Sequence, residues 1–208
     1  MNKNQAYIIF GTIGAVLLWW VIWSVRQPVG IANLDSRGTN IVAFGDSLIA
    51  GYGSTAGNDL ISDLSARIGQ PIINMGHKGD TSAEGLARIE PVLATDPKIV
   101  ILLFGGNDFL QNVKADVTFN NLAKMIDAIQ NRGSAVLLLG VRGGLFTDIY
   151  EQRFAVLAQT KHAAFVPNVL SGLIGKEGYM YDPVHPNDSG YSLIADRVEP
   201  VLRDMLKK

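Results

Sequence analysis

Apolar residues fall in five short runs along this chain, at 41–44, 71–75, 99–104, 135–139 and 164–166. Each run is continuous rather than alternating, the pattern of a strand buried on both faces. Between and after them lie stretches with helical character, at 58–68, 82–93, 117–131, 148–160 and 189–206. Strands separated by helices predict a parallel sheet, since parallel neighbours need a crossover, and right-handed crossovers place helices on both faces. The expected fold class is therefore α/β: a three-layer α/β/α domain with a flavodoxin-like, parallel five-stranded sheet. No internal repeat, low-complexity tract or second domain interrupts the pattern.

Two helix ends carry local signals. Thr81-Ser82-Ala83-Glu84 fits a capping box, which puts Gly79 and Asp80 in the turn before a helix. Asn187 or Asp188 is the expected cap of the last helix. Its buried face is predicted to be Tyr191, Ile194, Val198, Val201 and Met205, which recur at steps of three and four. Pro200 is expected to kink that helix or end it early.

The first residues stand apart. From Tyr7 to Val25 there is no charged side chain. At about 1.5 Å rise per residue, such a helix spans the hydrocarbon core of a bilayer. Tyr7 lies at one end and Trp19, Trp20 and Trp23 at the other, as interfacial aromatics do. Residues 1–28 therefore read as an N-terminal membrane anchor or uncleaved signal, a transmembrane helix that contacts the membrane through residues 7–25. The competing reading is a cleaved signal peptide, for which Gly30-Ile31-Ala32 is a weak processing site. Residues 29–39 read as a linker and 40–208 as the folded domain. Lys3 precedes the span and Arg26 and Arg37 follow it, so the charge count leaves orientation open.

Composition narrows the function classes. The chain has 208 residues, 48% hydrophobic and 18% charged, with a net charge of −1. That balance gives no reason to expect a nucleic-acid partner. The absence of cysteine excludes disulfides, thiol catalysis and cysteine metal sites.

The chemistry gathers where the strands end. Gly45-Asp46-Ser47-Leu48 follows the first apolar run, and open α/β sheets place their sites at the carboxyl ends of strands. Taken alone, the tetrapeptide also fits a simple turn in which Ser47 or Asp46 caps a helix. Three further stretches add weight. Asn74-Met75-Gly76-His77-Lys78-Gly79-Asp80-Thr81 follows the second strand, Gly105-Gly106-Asn107-Asp108 follows the third, and Asp182-Pro183-Val184-His185-Pro186-Asn187 precedes the last helix. Acyl transfer needs a nucleophile, a base, a group that orients the base, and donors for an oxyanion. Ser47, His185, Asp182, the Gly79 N–H and the Asn107 amide fill those needs. Asp182 and His185 each precede a proline, which biases both toward extended backbone. His77 reads as an exposed loop histidine.

With those four blocks in this order, the chain resembles the GDSL, or SGNH, hydrolase family. It is similar to the bacterial acyl-CoA thioesterase I, lysophospholipase and arylesterase branch, from about residue 40 to the end. The resemblance implies a catalytic triad of Ser47, Asp182 and His185. It implies an oxyanion hole from the N–H groups of Ser47 and Gly79 and the Asn107 amide, with no metal or cofactor. Phe109, Leu110, Leu145 and Phe146 correspond in position to loops that contact the acyl chain in that branch. The G-x-S-x-G elbow of standard α/β-hydrolases is absent, because Ile49 stands at its last position.

The expected function is a serine esterase that hydrolyses acyl esters or thioesters through an acyl-enzyme, with an acyl ester small molecule or lipid as substrate. The alternatives are an acyltransferase using the same triad, a carbohydrate O-acetyl esterase, or a binding module with a silent site. The expected location is a bacterial-type inner membrane, single-pass, with the catalytic domain periplasmic or extracellular; cleavage of the N-terminal segment would make it secreted. Oligomeric state is not legible.

Overall fold

The computed structural model describes residues 30–142 and 149–207. Its strands are β1 (Asn40–Gly45), β2 (Ile72–Gly76), β3 (Pro97–Leu103), β4 (Ala135–Leu139) and β5 (Ala164–Val166). The α-helices are α1 (Ser47–Ala50), α2 (Leu60–Ile68), α3 (Ser82–Ala87), α4 (Ile89–Leu93), α5 (Gly106–Leu110), α6 (Ala115–Asn131), α7 (Ile149–Thr160) and α8 (Asp188–Leu206). All strand pairs are parallel, in the order β2-β1-β3-β4-β5. The chain steps one way from β1 to β2 and the other way from β2 onward. Right-handed crossovers then put the connecting helices on opposite faces. Accordingly α2 packs on α8, and α3 packs on α6. The three-layer α/β fold follows from the apolar pattern as expected.

The core lies where the strands are most continuous. Every residue of β4 is buried, and Lys98 is the one residue of β3 that is not. The edge strand β2 departs from that pattern, with Ile73 exposed. In this strand order the reversal falls between β1 and β3. A crevice opens there at the carboxyl ends, the place where open sheets bind their ligands.

Three helical expectations are corrected. The single helix expected over 82–93 breaks at Arg88, whose backbone leaves helical geometry (φ −113°, ψ 28°). Pro91 has no N–H for the carbonyl of Ala87, and its ring crowds that carbonyl. The last helix does not end at Pro200; it runs through Leu206. Val198, Leu202 and Met205 bury on both sides of the proline, so packing outweighs the lost hydrogen bond. Leu202, rather than Val201, continues the fully buried face. Asn187 is its cap, accepting the Gly190 N–H at 3.0 Å.

The stretch read as a linker lies partly on the domain. Ile31 and Leu34 pack against the core, and the Asn33 amide donates to the carbonyls of Gln130 and Ser134. The compact unit begins at Ile31. The expected span over residues 7–25 lies outside the described residues. Among the described residues no helix is long and apolar enough to cross a membrane.

Candidate active site

Strand β1 ends at Gly45 and passes at once into the single turn of α1. Asp46 caps that turn, its carboxylate accepting the Leu48 N–H at 3.0 Å. The cap reading of this tetrapeptide is thus met by Asp46, and the Ser47 hydroxyl is left for another partner. Gly76 lets α1 lie this close to β2: a Cβ there would come within 2.2 Å of the Ala50 nitrogen.

The partner of Ser47 is His185, with Oγ and Nε2 3.0 Å apart. On the other side of the ring, Nδ1 lies 2.7 Å from Asp182 Oδ2. The second carboxylate oxygen of Asp182 accepts the N–H of Val184 at 2.9 Å and of His185 at 2.8 Å. Burial pushes the Asp182 carboxyl up, but the two N–H groups and the His185 ring outweigh it and hold the carboxyl below its ordinary value. An ionised Asp182 only accepts, so Nδ1 carries the ring proton and Nε2 is left bare to accept from the serine hydroxyl. The loop is closed on itself as well: the Tyr181 N–H donates to the His185 carbonyl at 2.8 Å.

Gly79 and Asn107 approach from the two strands beside β1. Gly79 sits at φ +90°, a conformation that glycine adopts without strain. Among the described residues neither its N–H nor that of Ser47 donates to another group. Asn107 is in the first turn of α5, and its amide nitrogen donates to the Asp80 carbonyl at 2.9 Å. That bond uses one of two amide protons and fixes the side chain next to the Gly79 turn.

A profile of the GDSL-like Lipase/Acylhydrolase family matches residues 43–193. The chain belongs to that family. It is a carboxylic ester hydrolase of the serine, SGNH type. It is 30% identical over 178 residues to esterase TesA of Pseudomonas aeruginosa, spanning 80% of this chain and 89% of that protein. It is 27% identical over 176 residues to the thioesterase 1/protease 1/lysophospholipase of Escherichia coli, spanning 80% and 84%. The crystal structure of TesA superposes with a TM-score of 0.74 at 30% identity, over 80% of this chain and 99% of that one.

The site of this hydrolase contains groups that its sequence did not reveal. Asp80 is buried and anchors the turn after β2: it takes the His77 ring at 2.6 Å and Arg88 Nε at 2.5 Å. His77 is exposed, as read, but committed to that carboxylate. Arg88 also donates to the carbonyls of Met75 and Gly45, both at 2.9 Å, and its guanidinium lies 4.4 Å from the Phe44 ring centre. One side chain thus ties together the ends of β1 and β2 and the turn that carries Gly79. Asp108 buries its carboxylate against the Ser82 N–H and the hydroxyls of Ser82 and Thr118. Asp46, wholly enclosed and close to Asp108 and Asp80, is pushed up to about 7, first by burial and then by those charges.

Tyr52, in the turn after α1, packs edge-on against the His185 ring with centres 4.6 Å apart. Phe109 and Leu110 follow Asn107 and are exposed, the Phe109 ring resting on Tyr150 at 5.7 Å. Leu145 and Phe146 lie outside the described residues. Among the described residues no cluster of three or more His, Asp or Glu side chains could hold a metal ion.

Proposed function

We propose that Ser47, His185 and Asp182 are the catalytic triad, and that the enzyme hydrolyses single-chain acyl esters derived from membranes, lysophospholipids above all. The observation that carries the assignment is His185 bridging Ser47 at 3.0 Å and Asp182 at 2.7 Å. In this reading Ser47 Oγ attacks the acyl carbon while Nε2 takes its proton. The charge that develops on the carbonyl oxygen is met by the N–H groups of Ser47 and Gly79 and the free amide proton of Asn107. Collapse of the adduct breaks the bond to the leaving group, which takes the proton from Nε2. Water then repeats the sequence on the acyl-enzyme and releases the acid.

Two features support the amphiphile as substrate. Phe109 and Leu110 offer exposed apolar surface next to Asn107, and each buried methylene of an acyl chain contributes about 0.8 kcal/mol. Residues 7–25 carry no charge, and a tether there holds the enzyme at a membrane, where such esters are concentrated. The catalytic domain then faces the periplasm or the outside. Among the relatives, the Escherichia coli protein is named thioesterase and lysophospholipase, which supports the same substrate class.

The test compares the full chain with Ser47→Ala on p-nitrophenyl and lysophospholipid esters, with circular dichroism to verify folding and fractionation to locate the protein. Loss of both turnovers in a folded variant is expected, with the full chain in the membrane fraction. Unchanged turnover would remove the triad. A preference for sugar acetates, or full-length protein in the soluble fraction, would remove the membrane-lipid reading.

A further inference from the structure

We infer that Lys78, seated on Tyr52, recognises an anionic group on the leaving side of the substrate, so that the enzyme favours acyl esters or thioesters whose departing part carries a phosphate. This rests on the reading of Ser47 and His185 given above. Lys78 Nζ lies 3.5 Å from the centre of the Tyr52 ring. Among the described residues it makes no ion pair. An exposed lysine without an anion normally samples solvent on a flexible stem. Here the ring face holds it, since an aromatic face attracts an ammonium.

The ring itself is fixed with respect to the reacting atoms. The Tyr52 N–H donates to the Ser47 carbonyl at 3.0 Å. The Tyr52 carbonyl accepts the hydroxyl of the buried Tyr191 at 2.7 Å. Its edge meets His185, and on a further side it meets Tyr181 with centres 5.9 Å apart. The ammonium is therefore two ring contacts from the nitrogen that protonates the leaving group. Whatever departs from the acyl carbon must pass its first atoms beside His185, and so beside Tyr52.

The two sides of the site differ in chemistry. Beyond Asn107 the exposed apolar groups are Phe109 and Leu110, fit for an acyl chain. Tyr52 itself lines an open groove of about 680 Å³ with Ser54, Thr55, Tyr181, Asn187 and Asp188, with room for a polar head group. Asp188 does not neutralise Lys78: its oxygens accept from the Thr55 N–H and hydroxyl and from Asn58. His77 adds no second free cation, because its ring is bound to Asp80.

The experiment uses the purified full chain and two substrate pairs that differ in phosphate content. One pair is a monoacylglycerol and the 1-acylglycerol 3-phosphate with the same chain; the other is an acyl-pantetheine and the matching acyl-CoA. The readout is the ratio of kcat/KM, charged over neutral, in the wild type, Lys78→Met and Lys78→Arg. An exposed ion pair corresponds to at most about a fivefold effect, so Lys78→Met is expected to lower the ratio by about twofold to fivefold, mainly through KM, while Lys78→Arg keeps it. Added salt should narrow the difference. A fall confined to the lipid pair identifies a phospholipid head group, and one confined to the thioester pair identifies the nucleotide phosphates. Equal ratios in wild type and Lys78→Met for both pairs, with turnover still dependent on Ser47, would overturn the Lys78 assignment alone. Turnover that survives Ser47→Ala would overturn the catalytic reading beneath it.

Discussion

Arg88→Met should damage both stability and turnover, although Arg88 touches none of Ser47, His185 and Asp182. The change keeps most of the stem but removes four things: the contact to Asp80, the donors to Met75 and Gly45, and the cation over Phe44. The Asp80 side chain is 8% exposed and that of Arg88 29%. Breaking a buried pair by removing one partner typically costs about 3–5 kcal/mol. The partial exposure of Arg88 puts the expected loss near the lower end, about 3 kcal/mol. For a domain of this size that corresponds to a fall in Tm of about 6–12 °C. Turnover should fall as well, because the Asp80 carbonyl holds the Asn107 amide. Misplacing an oxyanion donor by a fraction of an ångström lowers kcat by about tenfold to a hundredfold. Calorimetry and steady-state kinetics on an activated ester measure both. The double variant Asp80→Asn/Arg88→Met should recover part of the stability, since it no longer buries a carboxylate that has lost its guanidinium. A single Arg88→Met variant with wild-type Tm and wild-type kcat would refute the account.

Two further outcomes are expected. Asn107→Ala should lower kcat by about 10²–10³ with little change in KM, measured on a p-nitrophenyl ester, because an oxyanion donor acts on developing charge; a normal kcat with raised KM would make Asn107 a ground-state contact. Asp46→Asn keeps a good helix cap but removes a carboxyl whose folded-state value is raised to about 7, chiefly by burial. Between pH about 4 and about 7 the unfolded chain gives up that proton and the native chain keeps it, so native stability falls as pH rises across the window. The Tm advantage of Asp46→Asn should thus be near zero at about pH 4 and largest above about pH 7; a constant offset in thermal scans would sink the assignment.

Sequence pattern reached the sheet because its strands are continuous apolar runs, and it brought Ser47, Gly79, Asn107, Asp182 and His185 forward as candidates because each sits in a short block next to a strand or helix end. It offered α1 only as a capped turn and missed α5, since helices of four and five residues are too short to show a period. The break at Arg88 had a visible signal in Pro91, whose missing N–H was not weighed. The roles of Arg88, Asp80 and Tyr52 had no such signal. Arg88 works through carbonyls 13 and 43 residues away, and Tyr52 acts through a histidine that meets it only when α8 is in place. Contacts of that kind are set by the fold and leave no local trace.

The order of the chain gives the hydrolase a late start in life. Ser47, Gly79 and Asn107 are all made before the last strand is complete, but His185, the base proposed for Ser47, lies directly ahead of α8. That helix is held to α2 by Arg67, which reaches Asp196, Glu199 and Ser192. A chain emerging from the ribosome at about 5–20 residues per second therefore presents a serine without its base. Under the proposed triad, Ser47 meets its base only once the chain through His185 has been made and α8 packs beside α2. On that reading, a polypeptide broken off before His185 carries Ser47 but lacks the proposed base.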